Sequence, residues 1–416
     1  MPQTIEVVVR LTISEEDFDV NRLEARVEQA RDEAGRELLV KALEALDEQG
    51  LENHPQVARQ RRVERHLDTR LGHVAFRRWR VKQEGKTTCL LDRLLGLERY
   101  SRASPGVKRR GVELASRTTY REAAGVLSEE VGTSLRAQSV HGWVQRMGEQ
   151  VEAQELAGPG RAEAAPEVVV AELDDTMVRS QEPNARQFAL KLGIAYSQKQ
   201  RVGRERWKLA DKVVYGGEEE AEEFAERFYG RVAGALGVAT ARHVLVKGDG
   251  AEWICQAAEQ VFPGHVFQLD RWHLLERIRE FAGALPRLLK RLQRWVYQGR
   301  VAALIRSLRQ LVGADARSEE ARQELLGYVT RHAQAITAVD RLRPQVSPAS
   351  RPLLTHGTGA MEKNIEIFIA RRFKRWGMRW TRRGAHALLK VRLWIFRHGG
   401  HWFEALKPPA SQLTNA

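Results

Sequence analysis

The order of predicted elements in the second half of the chain indicates an α/β domain, and the first half is predicted to be mostly helical. In the second half, three consecutive strands are followed by a helix, a fourth strand, a second helix and a fifth strand. The chain has 416 residues, of which 43% are hydrophobic. This length and composition are sufficient for two or three domains with substantial hydrophobic cores.

The charge of the chain is strongly positive and unevenly distributed. Its formal net charge is +14, which favours a polyanionic partner such as nucleic acid. Residues 1–60 are acidic, whereas residues 61–110 are strongly basic. No apolar run of about 18 residues and no secretory leader is found, so we expect a cytoplasmic, nucleoid-associated protein with no membrane partner. The two cysteines, Cys89 and Cys255, are too few for a disulfide framework.

The first part of the chain is predicted to contain an acidic helical segment, residues 1–60, and a basic DNA-binding region, residues 61–157. A helix is predicted over residues 14–50, because Leu, Val and Ala recur at helical spacing after a Ser-x-x-Asp cap signal. Residues 70–100 combine strand-like runs with the apolar run "CLLDRLLGL". We therefore expect a small α+β element there.

A helix-turn-helix is predicted over residues 116–147, where two helical patterns are separated by a turn at Gly132. Thr119 and Glu122 form a capping box at the start of the first pattern. The apolar residues of the second pattern share one helix face, which leaves four polar side chains near its start: Arg136, Gln138, Ser139 and His141. In a basic chain this arrangement favours contact with a DNA groove. The alternative interpretation is an ordinary αα-hairpin.

A linker is predicted at residues 158–166, which are rich in glycine, proline and alanine. The α/β domain, 167–400, and a tail, 401–416, follow it. Its predicted strands are 167–173, 187–196, 207–215, a strand that ends at Asp249, and 265–269. Its predicted helices are 218–236, 252–261, an all-helical insertion at about 272–350, and a last helix near 360–376. This order of elements is typical of an RNase H-like catalytic core.

Acidic residues fall at the ends of two predicted strands, at Asp174 and Asp249. The first and fourth strands are neighbours in such a sheet, so these carboxylates would converge. A third carboxylate is expected on the last helix, where spacing alone does not decide between Glu362 and Glu366. Three hard oxygen donors suit Mg²⁺, with Mn²⁺ as a substitute, and a two-metal site would promote phosphoryl transfer. Strand alternation separates Asp174 from Asp175 without deciding which face is catalytic.

A second basic block, residues 371–397, contains ten Lys or Arg residues and no acid. Trp376, Trp380 and Trp394 are interleaved with these charges, a pattern that suits phosphate neutralisation together with base stacking. The residues predicted to contact DNA are Arg371, Arg372, Lys374, Arg375, Arg379, Arg382 and Arg383. The alternative is a basic helix whose tryptophans lie in the core.

Several spaced sequence blocks resemble a known family. The blocks "GDGAEWI", "FPGHVFQLDRWHLLERI" and "EKNIEIFIARRFKRWGM" occur in this order, and "SPGVKRRGVELASRTTYREAA" lies upstream of them. Together they resemble the bacterial insertion-sequence transposases of the ISLre group, once catalogued as an uncharacterised protein family. They are similar, more distantly, to the Mutator-like DDE transposases.

The resemblance implies an RNase H-fold DNA transposase with a DDE triad at Asp174, Asp249 and Glu362, which hold the metal ions. The family usually has a glycine or an acid where Asp175 stands, so a swap within this pair stays open. The implied partners are double-stranded DNA, at the terminal inverted repeats of the element and in the target, and a second copy of the chain in a dimer or larger synaptic assembly. The implied reaction is phosphodiester hydrolysis followed by strand transfer.

Mutator-like relatives also carry an Asp or Cys, two further residues and a His after the fifth strand. "LDRWHLL" matches this motif with Asp270 and His273, which implies that both lie beside the metal site. The alternative is a helix-capping Asp with a structural His.

Two other functions compete with that of a transposase. One is a DNA-binding regulator without catalysis, and the other is an RNase H-like nuclease without strand transfer.

Overall fold

The chain forms two compact units, residues 1–146 (unit 1) and residues 147–416 (unit 2). The structure, a computed structural model, describes residues 4–83, 86–156, 165–204, 206–262, 264–311 and 316–406. The predicted linker lies outside the described residues, apart from its last two residues, and so does the predicted tail beyond residue 406. No helix in the described ranges is long and apolar enough to cross a bilayer.

Unit 1 combines a long helix, a three-stranded antiparallel sheet and shorter helices. Its elements are α1 (Val20–Glu52), β1 (Ala58–Thr69), β2 (Gly72–Gln83), β3 (Lys86–Cys89), α2 (Leu90–Leu94), α3 (Pro105–Ala115), α4 (Tyr120–Val131) and α5 (Ala137–Leu156), which continues into unit 2. The sheet has the order β1-β2-β3. The predicted α+β element is therefore present, and it makes unit 1 less helical than predicted.

The helix predicted from residue 14 begins later in the structure. Ser14 donates its N–H to the carboxylate of Asp17 at 2.7 Å, which closes a short 3-10 turn, Glu15–Asp17. α1 then starts after Asp19, whose side chain accepts a hydrogen bond from the N–H of Asn21. The cap signal was thus assigned to the wrong element, because the short turn carries a cap of its own.

The paired helices α4 and α5 have the local structure that the sequence predicts. Thr119 and Glu122 exchange backbone and side-chain hydrogen bonds of 3.1 and 3.2 Å at the start of α4. Gly132 ends α4 with a φ of +71°, a conformation that suits glycine. Trp143 of α5 is buried and packs against α3 at Gly111.

Unit 2 is built around a five-stranded mixed sheet. Its strands are β4 (Val168–Arg179), β5 (Gln187–Tyr196), β8 (Val213–Gly217), β9 (His243–Gly248) and β10 (His265–Leu269), and a separate two-stranded ribbon is formed by β6 (Lys199–Arg201) and β7 (Trp207–Leu209). The sheet order is β10-β9-β4-β5-β8. β4, β9 and β10 are parallel, whereas β5 runs antiparallel to β4 and β8.

The predicted strands agree with this sheet except at two places. The strand predicted at 207–215 is divided into β7 and β8, with β7 in the ribbon and β8 at the edge of the sheet. β4 was predicted to end at residue 173 but continues to Arg179, because it stays paired with β5 as far as the Arg179–Gln187 pair. The predicted site residue Asp174 therefore lies within β4 and not after it.

Helices cover both faces of the sheet and form the predicted insertion. They are α6 (Ala221–Leu236), α7 (Glu252–Val261), α8 (Arg271–Ala282), α9 (Pro286–Tyr297), α10 (Val301–Gln310), α11 (Ala316–Arg331), α12 (Ala338–Leu342), α13 (Gly359–Ile365), a π-helical segment (Glu366–Lys374) and α14 (Arg382–His398). The remaining 3-10 turns are Val238–Thr240, Ala335–Thr337, Arg343–Gln345, Arg351–Leu353, Arg375–Gly377, Gly399–His401 and Glu404–Leu406. α8 to α11 enclose their own hydrophobic core.

The two faces of β4 belong to different cores. Val169, Leu173 and their neighbours pack with α6 and α7. Val168 and Val170 pack on the opposite face with residues of α12 and the loop after it. Side chains alternate along a strand, so Asp174 lies on the face of Val168 and Val170, and Asp175 lies on the other.

Candidate active site

Three aspartates lie at the same edge of the sheet, where the parallel pairing of β4, β9 and β10 ends. Glu172 of β4 pairs with Lys247 of β9, and Asp174 and Asp249 each follow two residues later. Asp270 directly follows β10, which is parallel to β9. The carboxyl ends of parallel strands meet at one edge, so these three residues form a single group, the aspartate edge. It unites both aspartates of the predicted triad with the predicted site-adjacent Asp270.

The electrostatics of Asp174 reflect this crowding. Burial, together with the charges of Asp249, Asp175 and Asp270, raises the pKa of its carboxyl to about 7, although a hydrogen bond from the N–H of Asp175 lowers it. A pKa this high means that the ionised carboxylate is destabilised, first by burial and then by the negative charges near it. The aspartate edge therefore favours the binding of a positive ion.

Asp175 has a partner of its own on the opposite face of β4. The indole N–H of Trp253, in α7, donates to its carboxylate at 2.8 Å. Burial raises the pKa of Asp175, and this hydrogen bond lowers it. Trp253 thus fixes Asp175 on this face, whereas the face of Asp174 is the one that packs toward α13.

Asp249 lies in a loop that the helical insertion supports. Its carboxylate accepts a hydrogen bond from the N–H of Ala251 at 2.8 Å, and the hydroxyl of Tyr328 donates to its carbonyl at 2.6 Å. Gly250 has a φ of +84°, and a Cβ at this position would lie 2.9 Å from Nε2 of the buried His332. Only glycine suits this position. No sequence pattern distinguishes Tyr328 or His332, since both fall within an ordinary helical pattern.

Asp270 connects β10 with two helices. It is buried, it caps α8 by accepting the N–H of Trp272 at 2.9 Å, and it accepts a hydrogen bond from the hydroxyl of Thr358, the residue before α13. Nε2 of His273 lies 3.9 Å from the same carboxylate. Asp270 therefore caps a helix, as the alternative interpretation predicts. In addition, it holds the start of α13 beside the aspartate edge.

Glu362, the predicted third ligand, is exposed on α13. The helix is tied to β4 next to it, because the N–H of Met361 donates to the carboxylate of Glu172 at 3.0 Å. Within the described ranges the carboxylate of Glu362 makes no hydrogen bond and no ion pair, so it is available to a ligand. The alternative, Glu366, forms a surface ion pair with Arg371 at 3.0 Å.

A buried ionic group that was not predicted lies directly behind the aspartate edge. The ammonium of Lys247 is fully buried, 3.7 Å from the carboxylate of Glu172, and donates to the hydroxyl of Thr355 at 2.8 Å. Burial lowers the pKa of Lys247 to about 8. Tyr196 donates to Glu172 at 2.7 Å. The sequence feature that could have indicated this buried pair is a single charged residue in each of two apolar strands, "VVVAEL" and "VLVKG".

The donor set of the aspartate edge fits a hard divalent cation. Mg²⁺ keeps several waters and takes only one or two protein carboxylates, so Asp174 and Asp249 are sufficient ligands by type and number. Among the residues that the structure describes, three metal-ligating side chains with all ligand atoms within 4.8 Å occur only at Glu152, Glu219 and His386. The aspartate edge does not form such a compact group.

The predicted DNA contacts in the second basic block are exposed, with one exception. Arg371, Lys374, Arg375, Arg379, Arg382 and Arg383 are exposed. Arg372 is 1% exposed, its guanidinium lies 4.8 Å from the ring of Trp380, and it donates to the sulfur of Met378 at 3.0 Å. The prediction that Arg372 contacts DNA is therefore wrong, because the segment turns this side chain into the core.

The tryptophans of this block also lie in the core where the structure describes them. The indole N–H of Trp380 donates to the carbonyl of Phe373, and that of Trp394 donates to the carbonyl of Trp402. Both side chains are buried. These two side chains therefore cannot stack on bases. Their burial agrees with the alternative interpretation, in which the tryptophans lie in the core. The side chain of Trp376 lies outside the described part of the chain.

Three of the four predicted DNA-reading residues of unit 1 line a groove of about 930 Å³. Arg136, Gln138 and Ser139, at the start of α5, are exposed there. Arg99, Tyr100, Arg102 and Arg146 line the same groove. His141 does not line it but packs edge-on against Tyr120, with ring centroids 5.1 Å apart. Burial lowers the pKa of His141.

Comparison with known proteins gives one consistent result. Residues 13–406 match a family described as "Uncharacterised protein family (UPF0236)". A protein described as "UPF0236 protein in vanSb 3'region", from Streptococcus gallolyticus, is 24% identical over 378 residues, which cover 89% of this chain and 81% of the relative.

Relatives are also found in Caldanaerobacter subterraneus subsp. tengcongensis. One UPF0236 protein of this organism is 22% identical over 390 residues, which cover 92% of this chain and 79% of the relative, and its name joins eleven locus designations. Another is 22% identical over 390 residues, which cover 92% of this chain and 80% of that relative. Since the family match extends over nearly the whole chain, this protein belongs to the uncharacterised protein family UPF0236.

Proposed function

We propose that this protein is a DNA transposase that binds the ends of its own element and, with Mg²⁺ or Mn²⁺, hydrolyses and rejoins phosphodiester bonds. The observation that carries the proposal is the aspartate edge, in which Asp174, Asp249 and Asp270 lie where the parallel pairing of β4, β9 and β10 ends. Carboxylates crowded in this way, with a pKa of about 7 at Asp174, favour a divalent cation.

We propose that the sheet is an RNase H-like core. Along the sheet β8-β5-β4-β9-β10, the strands stand in the order third, second, first, fourth and fifth, counted along the chain without the ribbon. The second strand is antiparallel to its neighbours, and the first, fourth and fifth are parallel. The helical insertion between β10 and α13 fits the family resemblance.

The proposed roles follow from the contacts of each residue. Asp174 and Asp249 hold the ion, and Glu362, whose carboxylate is exposed, serves as the third ligand. Asp270 orients the start of α13 through Thr358. When bound, Mg²⁺ would activate the attacking water or 3′-hydroxyl and stabilise the leaving oxygen.

The residues behind the aspartate edge keep it rigid. The buried pair Lys247–Glu172 connects the two central parallel strands, and Glu172 also binds the backbone of α13. Tyr328 holds the backbone carbonyl of Asp249 from the helical insertion. A site that positions a reacting phosphate needs such contacts to hold its metal-ligating residues in place, since small displacements of the ligands weaken catalysis.

Recognition of the element ends is assigned to unit 1. We propose that α4 and α5 act as a helix-turn-helix, with Arg136, Gln138 and Ser139 facing the bases. The arginines of the same groove are suited to the phosphates. The exposed basic residues of the second block would hold DNA near the site of cleavage, and two ends held together would require a dimer or a larger assembly.

The name of one relative gives further support. It joins eleven locus designations of a single genome, which is what a gene that moves within a genome would leave behind. This observation is made on the relative, and it supports the proposal for the present chain because both belong to the same family.

The test is mobilisation of a marker flanked by the DNA that surrounds this gene. We expect the wild type to excise and reinsert the marker and Asp249→Asn to fail, while Asp32→Asn, a change in a half-exposed aspartate of α1, retains activity. The proposal is overturned if the wild type binds the flanks but moves nothing, which favours a regulator. Cleavage without a requirement for the flanking sequences would favour a nuclease without strand transfer.

A further inference from the structure

Unit 2 contains a second groove, of about 1170 Å³, which we call the ribbon groove. It is lined by the ribbon β6–β7, the start of α13 and the end of α14. The side chains used in the argument are Lys199, Trp207, Lys208, Lys212, Lys363 and Phe396. None of them belongs to the predicted catalytic or DNA-binding residues.

The charge of the ribbon groove is positive and uncompensated. Within the described ranges none of its four lysines has a carboxylate within 4.0 Å. The ammonium of Lys212 instead donates to the side-chain carbonyl of Asn364 at 2.7 Å, and that of Lys199 donates to the carbonyl of Pro352 at 3.3 Å. The acid in the lining, Glu172, is buried and occupied by its own partners. The groove is therefore complementary to a polyanion.

Two large aromatic rings are exposed in the same groove. Trp207 is 48% exposed and Phe396 is 51% exposed, although both are large and apolar. The ammonium of Lys212 lies 4.5 Å from the ring centroid of Phe396. Lysines that can follow a phosphate backbone, together with aromatic rings that can stack on bases, are the features of single-strand nucleic-acid binding. A duplex offers its phosphates to such a surface but keeps its bases stacked on each other.

The ribbon groove opens beside the aspartate edge. Glu172 lines the groove and precedes Asp174 by two residues on the same face of β4. Gly357 also lines it, and a Cβ at this position would lie 3.7 Å from the carboxylate of Asp270. A strand that is cut or opened at the aspartates would therefore have the groove next to it.

We infer that the ribbon groove binds a single DNA strand, with the phosphates on its lysines and the bases stacked on Trp207 and Phe396. The origin of this strand, an element end opened beside the aspartates, rests on the proposed function. The binding itself follows from the charge and the exposed rings of the groove.

The main test uses the full chain in EDTA and fluorescence anisotropy with a labelled 20-nucleotide single strand and the matching duplex. Trp207→Ala is expected to weaken single-strand binding by about 5- to 150-fold, since one stacked base contributes about 1–3 kcal/mol. Trp207→Phe should retain most of the affinity, and duplex binding should not change. The matched control is Tyr297→Ala, an exposed aromatic residue outside the groove.

The lysines provide a second, independent measurement. Lys208→Ala and Lys363→Ala should each reduce the salt dependence of single-strand binding by about 0.7 in the log–log slope. Lys290→Ala, a change in an exposed lysine of α9, serves as the control. If Lys290→Ala reduces the slope equally, a diffuse positive charge explains the binding and the inference is wrong.

Photocrosslinking of the wild-type protein avoids any effect of substitution on folding. A strand that carries 5-iodouracil is expected to crosslink to the peptide that contains Trp207. Crosslinks confined to unit 1, or unchanged affinity of Trp207→Ala, would overturn the inference even if mobilisation is observed. If Trp207 is required for single-strand binding but neither wild type nor Asp249→Asn cleaves DNA, the groove is upheld and the transposase proposal fails.

Discussion

Two clusters of acidic residues in unit 2 differ in how their charge is compensated. At the aspartate edge, Asp174 has a pKa raised to about 7 by burial and by neighbouring carboxylates. In the second cluster, which we call the Glu219 cluster (Glu152, Glu155, Glu219, His386 and Lys390), burial alone would raise the pKa of Glu219, but Lys390 and His386 lower it to about 2. The two clusters thus contain similar acids with opposite electrostatics.

The difference indicates which cluster is built to take a ligand. Three side chains of the Glu219 cluster have the closer metal-like geometry. However, Lys390 lies 3.2 Å from Glu219 and 3.5 Å from Glu155, and Arg227 lies 2.7 Å from Glu152. The cluster is neutralised from within, so it connects α5, α6 and α14 as a structural network. Among the residues that the structure describes, no lysine or arginine lies within 4.0 Å of the carboxylates of the aspartate edge, and only His273, at 3.9 Å from Asp270, comes that close.

The largest expected effect is that of Lys390→Met. Lys390 is 1% exposed, and its removal would leave Glu155 and Glu219 buried without their cation. We expect the free energy of unfolding to fall by about 3–5 kcal/mol in urea denaturation at pH 7. Lys41→Met, in an exposed ion pair of α1, should cost less than about 1 kcal/mol. Equal effects of the two changes would show that the Glu219 cluster is not a structural network.

Glu219→Gln should give a smaller effect that depends on pH. The carboxylate of Glu219 accepts a hydrogen bond from Tyr215 at 2.7 Å, and the substitution removes its charge. We expect a loss of about 2–4 kcal/mol at pH 7. Since the pKa of Glu219 is about 2 in the folded protein and about 4.5 when unfolded, its contribution is complete above pH 4.5 and is lost as the pH falls toward 2.

The check is urea denaturation of both proteins across this pH range, with Glu37→Gln, in an exposed pair of α1, as the control. A difference between wild type and Glu219→Gln that persists at pH 2 would contradict the assignment of its effect to charge.

Asp174→Asn should act in the opposite direction on stability. The pKa of Asp174 is about 3.8 in the unfolded chain and about 7 in the folded protein, so ionisation favours the unfolded state between these values. In EDTA the substitution should therefore stabilise the protein by about 1–3 kcal/mol above pH 7. The difference from wild type should vanish near pH 4.

Mobilisation activity should be lost in the same variant. Asp32→Asn, the matched control, should change neither stability nor activity. Destabilisation by Asp174→Asn at pH 8 would mean that the aspartate edge is compensated in the same way as the Glu219 cluster, and the contrast between the two would fail.

The aspartates of the candidate site could be predicted because their signal is local. Short β-branched runs lead to Asp174 and Asp249, and the parallel pairing of β4, β9 and β10 brings the residues after these runs together, although β4 itself continues to Arg179. Strand alternation also separated Asp174 from Asp175 correctly, and the packing clusters confirm the two faces. The position of Glu362 relative to the aspartates stays a prediction.

What could not be predicted depends on contacts between distant parts of the chain. Tyr328 reaches Asp249 across 79 residues, and no sequence period marks it. The inward position of Arg372 follows from the π-helical segment, whose hydrogen-bond spacing shifts side chains relative to an α-helix. The interleaving of Arg and Trp there suggested a DNA surface, whereas the tertiary structure uses Trp380 and Trp394 as core residues.

The smallest expected effect comes from Tyr328→Phe, which tests whether the aspartate edge depends on its supports. The substitution removes one hydrogen bond to the carbonyl of Asp249 and keeps the ring, so the cost in stability should be about 0.5–1.5 kcal/mol. Activity should fall further than stability, because the loop that carries a metal ligand loses its anchor while the fold is kept.

Mobilisation frequency and the Mg²⁺ concentration that gives half-maximal DNA cleavage are the two measurements, with Tyr297→Phe, exposed on α9, as the control. A requirement for more Mg²⁺ at unchanged thermal stability would show that Tyr328 positions Asp249. Unchanged Mg²⁺ dependence with reduced stability would instead make it a structural residue, comparable to those of the Glu219 cluster.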